Sequence, residues 1–254
     1  MSGFRAYCDF SAFSAGGEIP VGGAVELNAA ESRHLCGALR SRAGDMVDVF
    51  DAKGSAYRCE LAGASSKSAA LRVIGRLYPK SPEVEVYLAQ CLPKGPAFDE
   101  IIRQSVELGA SGIYPLMSCR SVVRLGRADA EKKSAKWFEK YVEAIKQSSN
   151  LSKFEMPPVS DISDFLSNSG GFEVKLVASL RENASPIYKV LKSAGVDFAK
   201  SACVLIGPEG DLSDAEYDAA ESAGFIPVKL GDNVMKCDTA AACALSVLKA
   251  FWQK

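Results

Sequence analysis

The run Ala202-Cys203-Val204-Leu205-Ile206 carries no polar residue. A strand of that composition has both faces covered, as in a parallel sheet with helices on each side. The surrounding stretches meet that demand. Val84, Val86, Leu88 and Leu92 mark one strand, Gly112 to Met117 a second, Val174 to Leu180 a third and Phe225 to Leu230 a fourth. Helical patterns lie between them. Phe98, Ile101, Ile102 and Val106, with Leu108 nearly in phase, form one that Gly109 closes at the C′ position. Trp137, Phe138, Tyr141, Val142 and Ile145 form an apolar stripe with lysines opposite. Ser185-Pro186 opens a helix with a cap and a proline in first position. Ser213-Asp214-Ala215-Glu216 has capping-box spacing, and Gly224 ends that helix. Asp238-Thr239 caps a last helix, which runs through an exposed-looking Ala250-Phe251-Trp252. Strand and helix in alternation predict an α/β domain with a mainly parallel sheet.

Residues 1–78 keep a different rhythm. Asp45 to Asp51 alternates, Lys53-Gly54 supplies a turn, and Ala56 to Leu61 alternates again, which is a hairpin signature. Ser32 to Arg40 reads as a short helix on the i, i+4 spacing of Leu35 and Leu39. Short strands with one small helix predict a compact β-barrel module. Tyr78-Pro79-Lys80-Ser81-Pro82 is a natural linker, so the chain divides into a β-barrel over 1–78 and an α/β domain over 79–254. Two domains suit 254 residues at roughly 150 per domain. Hydrophobic residues at 48% and charged residues at 24% exclude a disordered or fibrous chain. No apolar run approaches the ~20 residues of a membrane span, and Met1 to Asp9 has no signal-peptide h-region. The expectation is a soluble cytoplasmic protein without a membrane partner.

Cysteine and histidine usage removes several chemistries. The 8 cysteines contain no C-x-x-C pair, which speaks against zinc, iron–sulfur or any other metal site. Buried thiols in a reducing compartment are the simpler reading. His34 is the only histidine, so a Ser-His-Asp or Cys-His mechanism must run through it. No G-x-S-x-G motif is present.

A net charge of −1 hides a division along the chain. Residues 120–153 carry 9 basic and 4 acidic side chains, whereas residues 154–254 carry 9 and 14. A solvated helix face accounts for the lysines of the first stretch. A nucleic-acid surface accounts for the clustering, with Arg120 and Arg124 as the preferred contacts. A smaller cluster, Arg33, His34, Arg40 and Arg42, is a second candidate RNA-facing surface.

Three corners follow predicted strands in the last third of the chain: Leu180-Arg181-Glu182-Asn183, Ile206-Gly207-Pro208-Glu209-Gly210, and Leu230-Gly231-Asp232-Asn233-Val234-Met235-Lys236. Ligands of open parallel sheets bind beyond the carboxyl ends of the strands, and glycine lets them approach the backbone. Ordinary turns also use glycine, so both readings stand on the corners alone. Neither a Walker A sequence nor G-x-G-x-x-G is present, so a phosphate cradle or dinucleotide site has no support.

The second corner, followed by Leu230 to Lys236 and then Cys237-Asp238-Thr239-Ala240, resembles the signature of the RsmE-type rRNA methyltransferases of the SPOUT superfamily. Their pattern is roughly G-P-E-G-G-[FL]-S-x-x-E, then L-G-x-x-[IV]-L-R-x-E-T-A. Further matches cover nearly the whole chain: Arg33-His34-Leu35 with Leu39-Arg40 and Gly44-Asp45, Lys94-Gly95, Glu107-Leu108-Gly109, Arg120-Ser121-Val122, and Glu143-Ala144 with Gln147-Ser148. The resemblance implies an N-terminal PUA-like, RNA-binding β-barrel and a C-terminal α/β domain whose chain end is threaded into a trefoil knot. It implies a homodimer formed through the knotted region and S-adenosylmethionine bound in the knot's loops. The implied activity is methylation of N3 of a uridine in small-subunit (16S) ribosomal RNA, free or in the ribosomal subunit. Residue by residue, the implied cofactor wall is Leu180, Ile206, Gly207, Pro208, Glu209, Gly210, Leu230, Gly231, Val234, Met235, Lys236, Thr239 and Ala240.

N3 of uridine is protonated at neutral pH, so methylation there needs a base or a cation that stabilises the developing uracil anion. Lys236 as cation and Asp238 as acceptor are the candidates, and Asp238 reads equally well as a helix cap. Glu209 reads as a turn carboxylate or as site wall, and Glu107 as structural. Arg120 reads as a phosphate contact or a structural ion pair, and His34 as a surface or half-buried residue. Four positions depart from the family pattern. Asp211 stands where the second glycine of the turn is usual, Lys236 for arginine, Asp238 for glutamate, and Asn150 where arginine is common. Lysine keeps the charge but loses the bidentate fork. The departures at 211, 236 and 238 suggest one alternative, a catalytically weakened RNA-binding relative. A SPOUT methyltransferase acting on another RNA, on tRNA ribose or on a guanine, is the second.

Overall fold

A computed structural model of the chain describes residues 3–13, 18–193 and 195–253. The backbone forms two compact units: the chain through Ser81 together with Ile145–Lys153, and Pro82–Ala144 together with Phe154–Lys254.

The first unit holds β1 (Phe4–Tyr7), β2 (Ala24–Glu26), α1 (Ala29–Ser32) continued as a π-helical stretch Arg33–Ala38, β3 (Met46–Phe50), β4 (Ala56–Gly63) and β5 (Ala70–Leu77). The sheet order is β1-β3-β4-β5-β2, with β1 parallel to β3 and the other pairs antiparallel. The predicted hairpin is β3–β4. Its register sets Val47 against Cys59 and Val49 against Tyr57, all buried. The β4–β5 pairing slips at Arg58/Cys59 and at Leu61/Gly63. Bulges of this kind bend a sheet, and the edge residues Ala6 of β1 and Val25 of β2 accordingly share one core with the central strands and with Leu35.

The helix starts earlier than the sequence pattern predicts. Asn28 caps it, its side chain accepting from the N–H groups of Ala30 and Glu31 at 2.9 Å. Ser32, the predicted start, lies inside the helix and is fully buried. Its hydroxyl donates to Leu27 O and accepts from Ala69 N, an internal tie with the look of a cap.

The second unit runs β6 (Glu85–Cys91), α2 (Ala97–Glu107), β7 (Gly112–Met117), α3 (Arg127–Ser148, of which the residues from Ile145 belong to the first unit), β8 (Ser160–Asp161), α4 (Ile162–Ser167), β9 (Val174–Ala178), β10 (Ser185–Pro186), α5 (Ile187–Ser193), β11 (Ser201–Ile206), α6 (Asp214–Ser222), β12 (Ile226–Lys229) and α7 (Cys237–Trp252). The sheet order is β10-β12-β9-β11-β6-β7-β8, and every pairing is parallel. The apolar run at 202–206 lies between β9 and β6 and is buried throughout. Cys203 and Leu205 pack with residues of α4 and α6, while α7 packs on β6 and β11 and against α2, which also packs on β7. No helix among the described residues is long and apolar enough to cross a membrane.

Four local expectations change. Ser185-Pro186 is a strand, not a helix start: it pairs with Val228–Lys229 at the sheet edge, where proline's missing N–H costs no ladder bond. Asp238 is not the cap of α7, because Lys236 holds that position and Asp238 sits in the first turn, accepting from Thr239 N at 2.9 Å. Trp252 is buried, its Nε1–H donating to Val196 O at 2.9 Å. Phe138 leaves the apolar stripe and is partly exposed against the ring of Tyr141.

Candidate active site

Because the sheet is parallel, the corners after β9, β11 and β12 open at one edge, and those three strands are neighbours. Together they enclose a cavity of about 500 Å³, within the usual range for small-molecule sites. Leu180 comes from the first corner; Ile206, Gly207, Pro208, Glu209 and Asp211 come from the second. The third contributes Leu230 through Lys236, and the start of α7 adds Cys237 and Ala240. Two large apolar side chains on the wall stay open to solvent, Leu180 at 60% and Val234 at 78% exposure.

The Gly207–Leu212 turn is held from several distant points. Asp211 N donates to Pro208 O at 2.9 Å, closing the turn. Lys94 N donates to Glu209 Oε1 at 2.8 Å. Arg120 Nη1 donates to Gly210 O and Leu212 O, both at 3.2 Å. Asp211 has φ of +61°, a conformation that costs a non-glycine residue roughly 1 kcal/mol. Its Oδ1 accepts from Leu212 N at 2.8 Å and from the Tyr217 hydroxyl at 2.6 Å, which offsets that cost. Glu216 completes the capping box with Ser213 and also accepts from Cys119 N at 2.7 Å, so α6 is tied to the loop after β7.

Residues 79–249 match the family described as RNA methyltransferase domain, and residues 27–74 match the RNA methyltransferase PUA domain. The chain belongs to the RNA methyltransferase family. Ribosomal RNA small subunit methyltransferase E of Synechocystis sp. is 30% identical to it over 230 residues, covering 89% of this chain and 73% of that protein. The enzyme of the same name from Bacillus subtilis is 29% identical over 229 residues, 86% of each. Ribosomal RNA small subunit methyltransferase E from Neisseria gonorrhoeae, in a crystal structure bound to S-adenosyl methionine, matches with a TM-score of 0.86 at 25% identity, covering 98% of each chain. An α/β methyltransferase domain behind a PUA-type one is the architecture expected from the sequence.

Of the wall that family resemblance implied, Gly210 and Thr239 do not line the cavity, and the rest do. Ala178, Ser179, Val228, Lys229, Asp232 and Asn233 line it unpredicted, as do Asp211 and Cys237. They adjoin the expected residues on the same strands and loops, so knowing the strand order would have found them. Lys236 is on the wall and exposed, whereas Asp238 is not among the lining residues. Glu209 fills both of its readings, as lining residue and turn carboxylate. Glu107 pairs with Arg103 at 2.6 Å, in keeping with a structural role.

Burial favours the thiol form of several cysteines. Burial, then the charge of Glu209, pushes Cys237 up to about 11, and burial foremost pushes Cys8 and Cys59 up to about 12. No cluster of His, Cys, Asp and Glu that would hold a metal occurs among the described residues.

The candidate RNA-facing cations separate into two kinds. Arg33, His34, Arg40 and Arg42 are all exposed on the π-helical stretch and the turn after it. Arg120 and Arg124 are exposed too, yet both hold carbonyls of their own unit: Arg120 those of the turn, and Arg124 that of Cys119 at 2.8 Å. Lys146, in the basic stretch, is engaged in a largely buried pair with Glu31.

Proposed function

We propose that this chain uses S-adenosylmethionine to methylate N3 of a uridine in small-subunit ribosomal RNA. The observation that carries the reading is the cavity at the ends of β9, β11 and β12, in a chain that matches rRNA methyltransferases over most of its length. The residues present fit the cofactor. Leu180, Ile206, Pro208, Val234 and Met235 offer an apolar wall for the adenine and the carbons of the methionine chain. Gly207 and Gly231 are both wall residues, and a Cβ there would crowd Leu212 at 3.3 Å and Met235 at 3.0 Å, so glycine keeps the wall's packing undisturbed. Covering Leu180 and Val234 would remove apolar surface from water at about 25 cal/mol per Å².

When bound, S-adenosylmethionine supplies an electrophilic methyl group. The protein's part is to orient the uracil and to manage its charge as the N3 proton departs. We assign Lys236 as the cation facing the developing uracil anion and Asp238 as the proton acceptor. The Asp211 departure, which favoured a weakened relative, is absorbed by the turn and leaves the cavity open. The PUA domain and the full-length relatives favour ribosomal RNA over another RNA. Mass mapping of small-subunit rRNA nucleosides decides the matter: a strain lacking the chain should lose one N3-methyluridine, and an unchanged map overturns the reading.

The exposed cluster of the first unit is the proposed RNA surface. The triple reversal Arg33→Glu, Arg40→Glu and Arg42→Glu should weaken rRNA binding and flatten its dependence on salt. The log–log slope should fall by about 0.7–0.9 for each phosphate that is no longer neutralised. S-adenosylmethionine affinity should not move. An unaltered slope misplaces the surface. Arg120 is left out of this test, because its reversal would also break the turn.

Threading of the chain end into a knot is supported by α7, which leaves β12 yet packs on β6, β11 and α2. We further propose a cytoplasmic homodimer. With Trp252 buried in its own chain, the family resemblance alone carries the dimer; a solution mass of 27.0 kDa, that of one chain, overturns it.

A further inference from the structure

We infer that Asp211 is the group through which this chain holds the positive charge of its methyl donor; the inference rests on S-adenosylmethionine being the ligand of the cavity. Asp211 stands where the resembling family has glycine, and the backbone there is left-handed, φ +61°. The position therefore accepts an aspartate only with support, and the support is specific. Oδ1 takes two hydrogen bonds, from Leu212 N at 2.8 Å and from the Tyr217 hydroxyl at 2.6 Å. Tyr217 is itself fixed, buried, with the Arg181 guanidinium 4.9 Å from its ring centre. Burial first, then the hydrogen bond to Asp211, raises the phenol above its ordinary value, so it remains a donor through the neutral range. The carboxylate is thus locked in one orientation. Among the described residues nothing donates to its Oδ2, and the residue lines the cavity.

The other acids of the wall are less suited. Glu209 and Asp232 both lie exposed to water, which screens their charge, whereas Asp211 is half-buried. A pre-set carboxylate on a cofactor wall suits a cation, and S-adenosylmethionine carries two at its methionine end, a sulfonium and an α-ammonium. A hydrogen-bonded or ion-paired charge held without reorganisation contributes both affinity and orientation.

The test is calorimetric titration of the full chain and of Asp211→Asn, which keeps an oxygen for both hydrogen bonds and removes the charge. Three ligands are compared: S-adenosylmethionine, S-adenosylhomocysteine, which lacks the sulfonium, and 5′-methylthioadenosine, which lacks both cations. Asp211→Asn should bind S-adenosylmethionine about 10-fold more weakly and 5′-methylthioadenosine unchanged. Equal weakening for S-adenosylhomocysteine assigns the ammonium; no weakening assigns the sulfonium. Asp211→Gly, which relieves the backbone but also deprives Leu212 N and the Tyr217 hydroxyl of their acceptor, should show the same selective loss between ligands. Equal loss for all three ligands in Asp211→Asn makes the residue merely structural and overturns the inference, as does no loss for any of them. Failure of the unaltered chain to bind S-adenosylmethionine at all overturns the cofactor reading itself, and this inference falls with it.

Discussion

Lys236→Ala should lower single-turnover methylation of small-subunit rRNA by about 10²–10³-fold, the usual cost of losing one group that stabilises charge in the transition state. S-adenosylmethionine affinity should stay close to that of the unaltered chain, because such a cation acts mainly after the N3 proton begins to leave. The fold gives Lys236 no structural duty that would confuse the result. It occupies the cap position of α7 without a side-chain capping bond, and it is exposed on the cavity wall. The amino end of α7 adds its own positive partial charge at the same place. Asp238→Asn is the companion measurement. Its Oδ1 accepts from Thr239 N, a bond that asparagine keeps, so melting should not change. Slow methylation in that variant supports the proton-acceptor role. Full activity in both variants removes the catalytic assignment and leaves only the cavity.

Gly231→Val should weaken S-adenosylmethionine binding by roughly 10–100-fold, the equivalent of the 1–3 kcal/mol that overpacking costs. A Cβ at Gly231 would meet Met235 Cε at 3.0 Å, inside normal contact, and both residues line the cavity. Valine's two methyl groups would push Met235 into the space or occupy it themselves. Gly231 is exposed and its φ lies outside the left-handed range, so the chain should melt normally. Calorimetric titration checks the affinity. Binding within two-fold of the unaltered chain would show that the third corner stands away from the cofactor.

The elements most legible in the sequence were those whose residues answer to one local requirement. Gly112–Met117 matches its predicted strand, and the capping box at Ser213 and Glu216 is present as spaced. The misreadings came where one residue type serves two local roles. Ser32 reads as a helix start and is a buried tie inside the helix; Ser185-Pro186 looks like a helix start and is an edge strand; Asp238 looks like a cap and is a first-turn carboxylate. Hydroxyl and carboxyl side chains bond equally well to an N–H of their own helix or of another strand, and spacing along the chain does not distinguish the two.

By itself, the sequence determined the class, the order of elements and the three corners that carry the site. A wholly apolar strand requires cover on both faces, and glycine at a corner requires little from its neighbours. Only the tertiary structure decided that these corners converge and that the central turn is rigid. The turn's partners lie 115 residues away at Lys94 and 90 away at Arg120, and Glu216 reaches 97 residues to Cys119. Such contacts depend on the strand order β12-β9-β11-β6-β7, which no periodicity encodes, because each strand's pattern records that it is buried and not which strand lies beside it. Asp211 is the clearest case. As a letter it is a departure from glycine, and in the fold it is a carboxylate fixed by Tyr217 and Leu212 on the cavity wall.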